Sequence, residues 1–264
     1  MKRLFARLNP RRTCEMKEYS SFQSALQDSD SYEDPRLIEV VKEKTKRFRE
    51  STAGRIINTR QLVQNLFVLS YVEPQRPLHM LEVGGACGAS YFETESMLPA
   101  RIKHWSIVET PAMAAAGKNM WNEAKLSFHS DIRSATSKLE SPDLAIAQGV
   151  LQYAVDPLQM LADLCLLGFC YIYVTRTAVA NVDKPIFTRQ VTEIAAHGPG
   201  KLPSPPEGSS SQPLTLMSFD ALKGSLPSNY DILITFEEGE ERIVTFGSRQ
   251  IVIRDAGFLA KRVG

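Results

Sequence analysis

The chain has 264 residues, 43% hydrophobic and 23% charged, enough for one well-buried domain with some elaboration. Its 31 basic and 30 acidic residues nearly cancel, so bulk charge makes no case for nucleic acid as a partner. No stretch reaches the roughly 18 apolar residues of a membrane-spanning helix. The four cysteines, Cys14, Cys87, Cys165 and Cys170, lack metal-ligand spacing. Cys165 and Cys170 sit in apolar sequence, which favours free buried thiols in a reducing cytoplasm.

In chain order, residues 1–30 read as a polar, flexible segment, and 31–264 as a single domain. The opening MKRLFARLNPRR is basic but has no apolar core long enough for a signal peptide. It is either a frayed tail or a short amphipathic segment in weak contact with an anionic membrane or a partner. Asp34-Pro35 is a helix start, because Asp caps and Pro fits the first helical position. Leu37, Ile38, Val41 and Phe48 follow at near-helical spacing. Asn58 and Gln61 resemble a second capping signal, ahead of an apolar stripe at Leu62, Val63, Leu66, Phe67 and Leu69. Residues 31–72 are thus expected to form a helical cap that packs on the sheet or roofs the site.

The core follows. Apolar runs predict strands at 78–83, 104–108, 126–129, 144–147 and 171–174. Helices are expected from Ala89, from Pro111 and, capped by Asp156, from Pro157. This alternation predicts an α/β fold: a Rossmann-like, doubly wound, mostly parallel sheet. Residues 181–217 contain GPGKLPSPPEGSSSQP and read as a loop-rich insertion, of the kind that is usually a lid or disordered. A helix at 218–226 and strands at 230–236 and 250–254 close the chain, the last two as an antiparallel pair, for seven strands in all.

The chemistry centres on LEVGGACG, residues 81–88. Glu82 lies near the end of the first strand, and Gly84, Gly85 and Gly88 form the turn into a helix. A dinucleotide fold asks for G-x-G-x-x-G, which this spacing does not fit, so a nicotinamide-dependent oxidoreductase is disfavoured. The pattern E/D-x-G-x-G-x-G fits better, with Ala86 at its second glycine. Glu109 ends the second strand and Asp131 follows the third, both at the crevice rim where such sheets bind ligands. A carboxylate in Glu109's position accepts hydrogen bonds from ribose hydroxyls. Asp131 has an alternative role as a helix cap, and Glu82 as a structural acid bonded to turn amides.

The stretches SYEDPRLIEVVKEKT, LEVGGACGASYF, HWSIVETPAMAAAGKNMW, LSFHSD, GVLQYAVDPLQML and YIYVTRT carry a resemblance over most of residues 31–177. They resemble a family of small bacterial proteins described as class I S-adenosylmethionine-dependent methyltransferases, often encoded beside surface-polysaccharide genes. Two departures stand out: Ala86 replaces the family's usual glycine, and the match weakens after Thr177. The resemblance implies S-adenosylmethionine as cofactor. Glu82 and the Gly84–Gly88 backbone, including Gly85 and Ala86, would hold its methionine part, and Glu109 its ribose. Thr110 and Pro111 would border adenine and Asp131 accept from its amino group, while Gln148 and Gly149 would lie beside the sulfonium.

The expected function is therefore methyl transfer to a small molecule or sugar, by O-methylation, in polysaccharide biosynthesis. An oxygen acceptor asks for a base. His197, Arg176 and Tyr153 are the candidates on the acceptor side, with Gln190 beside them. Arg176 could clamp a carboxylate or phosphate, or else form a salt bridge to Glu109 or Asp183. Tyr153 could simply pack, and His197 could be an idle loop histidine. No N-P-P-Y-type motif of nucleic-acid methyltransferases follows the fourth strand. The alternative is a methyltransferase-like fold that binds a nucleotide-type ligand or scaffolds a partner without catalysis.

Overall fold

The structure is a computed structural model that describes residues 14–53, 59–137 and 139–263. The basic segment of residues 1–12, Asn58 and the side chain of Gln61 lie outside the described residues. Its elements in chain order are β1 (Cys14–Glu15), α1 (Phe22–Gln27), α2 (Pro35–Ala53), α3 (Thr59–Tyr71), β2 (Leu78–Val83) and α4 (Ala89–Met97). There follow β3 (Ile102–Val108), α5 (Pro111–Met120), β4 (Leu126–His129), α6 (Ile132–Thr136), β5 (Leu144–Gln148) and α7 (Pro157–Leu166). The chain continues through β6 (Tyr171–Ala180), β7 (Ile186–Glu193), β8 (Ser209–Leu216), α8 (Phe219–Gly224), β9 (Tyr230–Phe246) and β10 (Arg249–Arg262).

The main sheet runs β1-β9-β10-β6-β5-β2-β3-β4. The block β6-β5-β2-β3-β4 is parallel throughout, and β10 is antiparallel to both of its neighbours. This is the expected doubly wound, seven-stranded sheet, extended by the two-residue β1 at its β9 edge. Leu78, Met80, Trp105, Ile107 and Tyr173 face one core layer, closed by α3, α4 and α5. Leu81, Val83, Ala145, Ile172 and Val174 face the other, closed by α6, α7 and α8. A central parallel strand is covered on both faces, which is why β2 is buried at all six positions. Chain order reverses at β2, which has β3 on one side and β5 on the other. The ligand crevice of such a sheet lies outside the carboxyl ends of the strands at this point.

The cap begins where Asp34-Pro35 places it. An Asp34 oxygen accepts from the Arg36 amide at 2.8 Å, and α2 runs from Pro35. Leu37, Ile38 and Val41 bury against Cys87 of the glycine turn and Met113 and Ala116 of α5. Arg49 stacks over the rings of Phe92 and Trp121, each 4.8 Å from the ring centre, and pairs with Glu123. Helix α2 is thereby fastened over the glycine turn.

Two stretches differ from the sequence reading. Within 1–30, the chain from Cys14 onward has defined structure: β1 pairs with β9, and Ser21 and Ser24 form a capping box on α1. Within 181–217, expected to be loop-rich, β7 and β8 form an antiparallel pair of eight residues each. Only 197–208 remains a long connection. The final hairpin is also longer than expected, 17 and 14 residues, joined by the two-residue turn Gly247-Ser248.

Candidate functional site

The glycine turn lies between β2 and α4. Gly84 and Gly88 have φ of 77° and 90°, a region that side chains avoid. Ala86 has φ of 48° and adopts this left-handed conformation despite its methyl group. Gly85 has a different reason: a Cβ there would lie 2.7 Å from Glu82 Oε2. The turn thus wraps over the Glu82 carboxyl group.

Glu82 is 1% exposed. It accepts from Trp105 Nε1 at 3.0 Å and from the Ser90 side chain. Burial nonetheless pushes its pKa up from 4.5 to about 7, opposed by these two bonds and reinforced by the charge of Glu109. Beside it is a cavity of about 10 Å³, room for about one water, lined by Asn65, Leu69, Ser90, Trp105, Ile146, Gln148 and Tyr173. Gln148 Oε1 is buried without a hydrogen-bond partner among the described residues.

Glu109 follows β3 and reaches back across the turn. Its Oε1 accepts from the Ala86 amide at 2.9 Å and its Oε2 from the Thr110 amide at 3.0 Å. Burial raises its pKa, and the two amide bonds work against that rise. The neighbouring Thr110 Oγ1 is buried and has no partner among the described residues, and Thr110 makes no side-chain cap to α5 although it precedes it. Pro111 opens α5. Asp131 is exposed and caps α6, accepting from the Ser134 amide and hydroxyl, both at 2.8 Å. These bonds hold its pKa below the ordinary value. Gly149 follows β5 with φ of 63° and donates its amide to the Thr175 carbonyl.

On the acceptor side, Tyr153 donates to Gln190 Oε1 of β7 at 2.8 Å. Tyr32, just ahead of α2, packs edge-on against Tyr153 with ring centres 5.5 Å apart, and against His197 at 6.4 Å. Burial raises the pKa of both tyrosines; for Tyr32 the charges of Tyr153 and Glu109 add to the rise. His197 is half-buried, and its Nε2 has no partner among the described residues. Burial and the nearby Lys44 ammonium both hold its pKa below 6.5, so it is neutral at pH 7. Lys44 of α2 is 2% exposed and donates to the Ala195 carbonyl at 3.0 Å. Arg176 is exposed and forms neither of the anticipated salt bridges.

The residues named from sequence therefore fall into two groups at one sheet end. Glu82, Gly84, Gly85, Ala86, Gly88, Glu109, Thr110 and Pro111 surround the glycine turn, with Gln148 and Gly149 at the neighbouring β5 end. Tyr153 and His197 meet through Tyr32, and Arg176 is close enough to bias the ionisation of Tyr153. Asp131 stands at the next strand end, engaged with its own helix. Tyr32, Lys44, Asn65 and Glu238 were not singled out from sequence. Tyr32 and Lys44 both lie in the stretch SYEDPRLIEVVKEKT, where residue type alone does not mark either of them.

Among the described residues, no helix is long and apolar enough to cross a membrane, and no cluster of three metal-ligating side chains occurs. Cys87, Cys165 and Cys170 are free thiols. No family model and no curated protein matches the sequence. Among solved structures, the chain is similar to an S-adenosylmethionine-dependent methyltransferase from Clostridium acetobutylicum ATCC 824. Identity there is 10%, over 77% of this chain and 90% of that one, with a TM-score of 0.44. It is also similar to magnesium protoporphyrin IX methyltransferase from Synechocystis PCC 6803, solved with bound SAH. That pair is 11% identical over 76% and 83% of the two chains, with a TM-score of 0.44. The sugar N-methyltransferase KedS8 from Streptoalloteichus sp ATCC 53650 gives 15% identity over 78% and 88%, with a TM-score of 0.43. Likenesses this distant carry no argument about chemistry, which rests on the residues above.

Proposed function

We propose that the chain is an S-adenosylmethionine-dependent methyltransferase that O-methylates a small-molecule or sugar acceptor bearing an anionic group. The observation that carries this reading is the convergence of two acids and two orphaned polar oxygens on one glycine turn and the β5 end beside it. Glu82 lies beneath the turn, Glu109 spans it, and Thr110 Oγ1 beside it and Gln148 Oε1 at the neighbouring β5 end are buried without partners among the described residues. Buried polar atoms ordinarily find a partner, so these oxygens fit a hydrogen-bonding ligand.

In this reading, Glu82 faces the cofactor's methionine ammonium, and Glu109 accepts from the ribose hydroxyls with lone pairs not taken by its two amides. Thr110 and Pro111 border the adenine, with Asp131 at the rim. Gln148 and Gly149 stand beside the sulfonium. When bound, the cofactor supplies an electrophilic methyl carbon, so the chain needs only to align the acceptor and exclude water. His197 is held neutral, and its Nε2, buried and without a partner among the described residues, is the atom that would take the acceptor hydroxyl's proton once the acceptor reaches it. Tyr32 and Tyr153 fix that side of the crevice, and the Arg176 guanidinium meets the acceptor's carboxylate or phosphate. A sugar acid or sugar phosphate suits these groups, which agrees with the resemblance to proteins encoded beside polysaccharide genes.

The test is transfer of a radiolabelled methyl group from S-adenosylmethionine to a panel of uronic acids, sugar phosphates and neutral sugars. Label should reach anionic sugars, and Arg176→Ala should abolish that preference. If S-adenosylhomocysteine binds but no panel member is labelled and none competes, the O-methylation reading is wrong. The non-catalytic ligand-binding alternative then takes its place.

A further inference from the structure

Two adjacent ladders depart from regular register in the carboxyl-terminal half of β6 and along β10, at positions three residues apart on β10. In the β6–β10 ladder, Thr177 pairs with Ala256 and Val174 with Phe258, so Thr175 and Arg176 together oppose Gly257 alone. This is a β-bulge. It requires glycine opposite: a Cβ on Gly257 would lie 2.8 Å from Thr175 Cα and closer still to the Val174 carbonyl. In the next ladder, Glu238 pairs with Asp255 and Arg242 with Ile253, so β9 bulges at 239–241 against Arg254.

Within the β6 bulge, Arg176 has φ of 55°. Glycine would hold this conformation without strain, and arginine does not. Backbone strain of this kind marks functional sites when surrounding contacts hold it in place. Here the holding contact is Glu238. Its Oε2 accepts from the Arg176 amide, and its Oε1 from Thr175 Oγ1 and Gln64 Nε2. One carboxylate therefore engages both bulge residues and ties them to α3. On the opposite side, the Gly149 amide bonds to the Thr175 carbonyl, and Gln152 Nε2 reaches the Arg176 carbonyl at 3.4 Å. The Arg176 backbone is held on both sides, while its guanidinium is exposed and has no ion pair among the described residues.

We propose that Glu238 is a positioning residue that locks the bulge so that Arg176 presents its guanidinium to an anionic group of the acceptor. The inference rests on the methyl-transfer reading only for calling that anion an acceptor; the anion site itself stands on the bulge. Glu238 touches neither cofactor nor acceptor, and its effect passes through the Arg176 amide.

The experiment uses the full chain with 15N-labelled arginine, the Arg176 Nε–H resonance being assigned from the Arg176→Lys spectrum. The probe is inorganic phosphate. In the native protein, phosphate should shift the Arg176 resonance saturably. In Glu238→Ala the half-saturating phosphate concentration should rise at least about tenfold, as expected for losing a fixed charged donor. Glu238→Gln, which keeps one acceptor and the side-chain volume, should recover part of the loss. A merely structural role would lower the thermal midpoint without separating these two variants at Arg176. Should the alanine variant fail to fold, native against Glu238→Gln gives the same comparison. Equal phosphate response in native protein and variants, or no native response at Arg176, overturns the proposal. Neither readout uses methyl transfer, so failure to bind S-adenosylhomocysteine counts against the methyltransferase reading alone.

Discussion

Glu82→Gln isolates the buried acid under the glycine turn. The folded pKa of Glu82 is about 7 against an ordinary 4.5. The folded state therefore binds this proton more tightly than the unfolded chain. Stability contributed by the protonated form is present below about pH 4.5, declines as pH rises through 7, and is level above that. The interval is about 2.5 pKa units, or about 3 kcal/mol at about 1.4 kcal/mol each. Glutamine removes the ionisation but keeps an oxygen for Trp105 Nε1, 3.0 Å away in the native protein. Imperfect replacement of the hydrogen bonds costs about 1 kcal/mol. The variant should thus be about 2 kcal/mol more stable than native at about pH 8, and slightly less stable at about pH 5. Glu93, which burial also pushes up to about 7, is common to both proteins and cancels in the difference. Urea unfolding at several pH values measures this directly. A native-minus-variant difference that does not change with pH would refute the buried-acid argument. The same acid links to function: a ligand ammonium at Glu82 favours its ionised form, so binding releases a proton, and S-adenosylhomocysteine affinity should climb as pH rises toward about 7.

Two further predictions follow from the site. Ala86→Gly relieves a left-handed alanine with φ of 48° and should raise stability by up to about 1 kcal/mol in denaturant titration. S-adenosylhomocysteine affinity should change little, because the Ala86 amide that bonds Glu109 is retained. With S-adenosylmethionine saturating, so that Glu82 is already ionised, the acid limb of kcat/KM for the acceptor should lie below pH 6.5, because burial and Lys44 lower the pKa of His197. His197→Asn should remove that limb and slow turnover by about a hundredfold or more in initial-rate assays.

The central strands were legible because each is buried on both faces and reads as a short apolar run between turn residues. Leu78–Val83 and Leu126–His129 have the bounds the sequence predicts. Strand β6 was expected to stop at Val174, since Thr175-Arg176-Thr177 ends the apolar run. The bulge at Thr175 and Arg176 lets it continue to Ala180. The β7–β8 pair escaped notice for a different reason. It lies outside the main sheet, and β8 reads SSSQPLTL, so polar residues and Pro213 hide its extended pattern. The glycine turn and Glu109 were legible because their chemistry is local in sequence. Glu238 was not: it is 62 residues from the Arg176 amide it holds, and only strand order brings them together. Lys44 was also hidden, because its burial depends on the loop that carries Ala195 and His197. Asp131 shows the converse: its acid at a strand end is legible, yet its hydrogen bonds close on Ser134 of its own helix.

The most direct test of the account is isothermal calorimetry of S-adenosylhomocysteine against the native protein and Glu109→Ala, both verified as folded. The account predicts one saturable site in the native protein and at least about tenfold weaker binding in the variant, since the ribose hydroxyls lose a buried acceptor. No binding to the native protein at millimolar ligand would contradict the cofactor assignment. Equal affinity in the two proteins would remove Glu109 from the site.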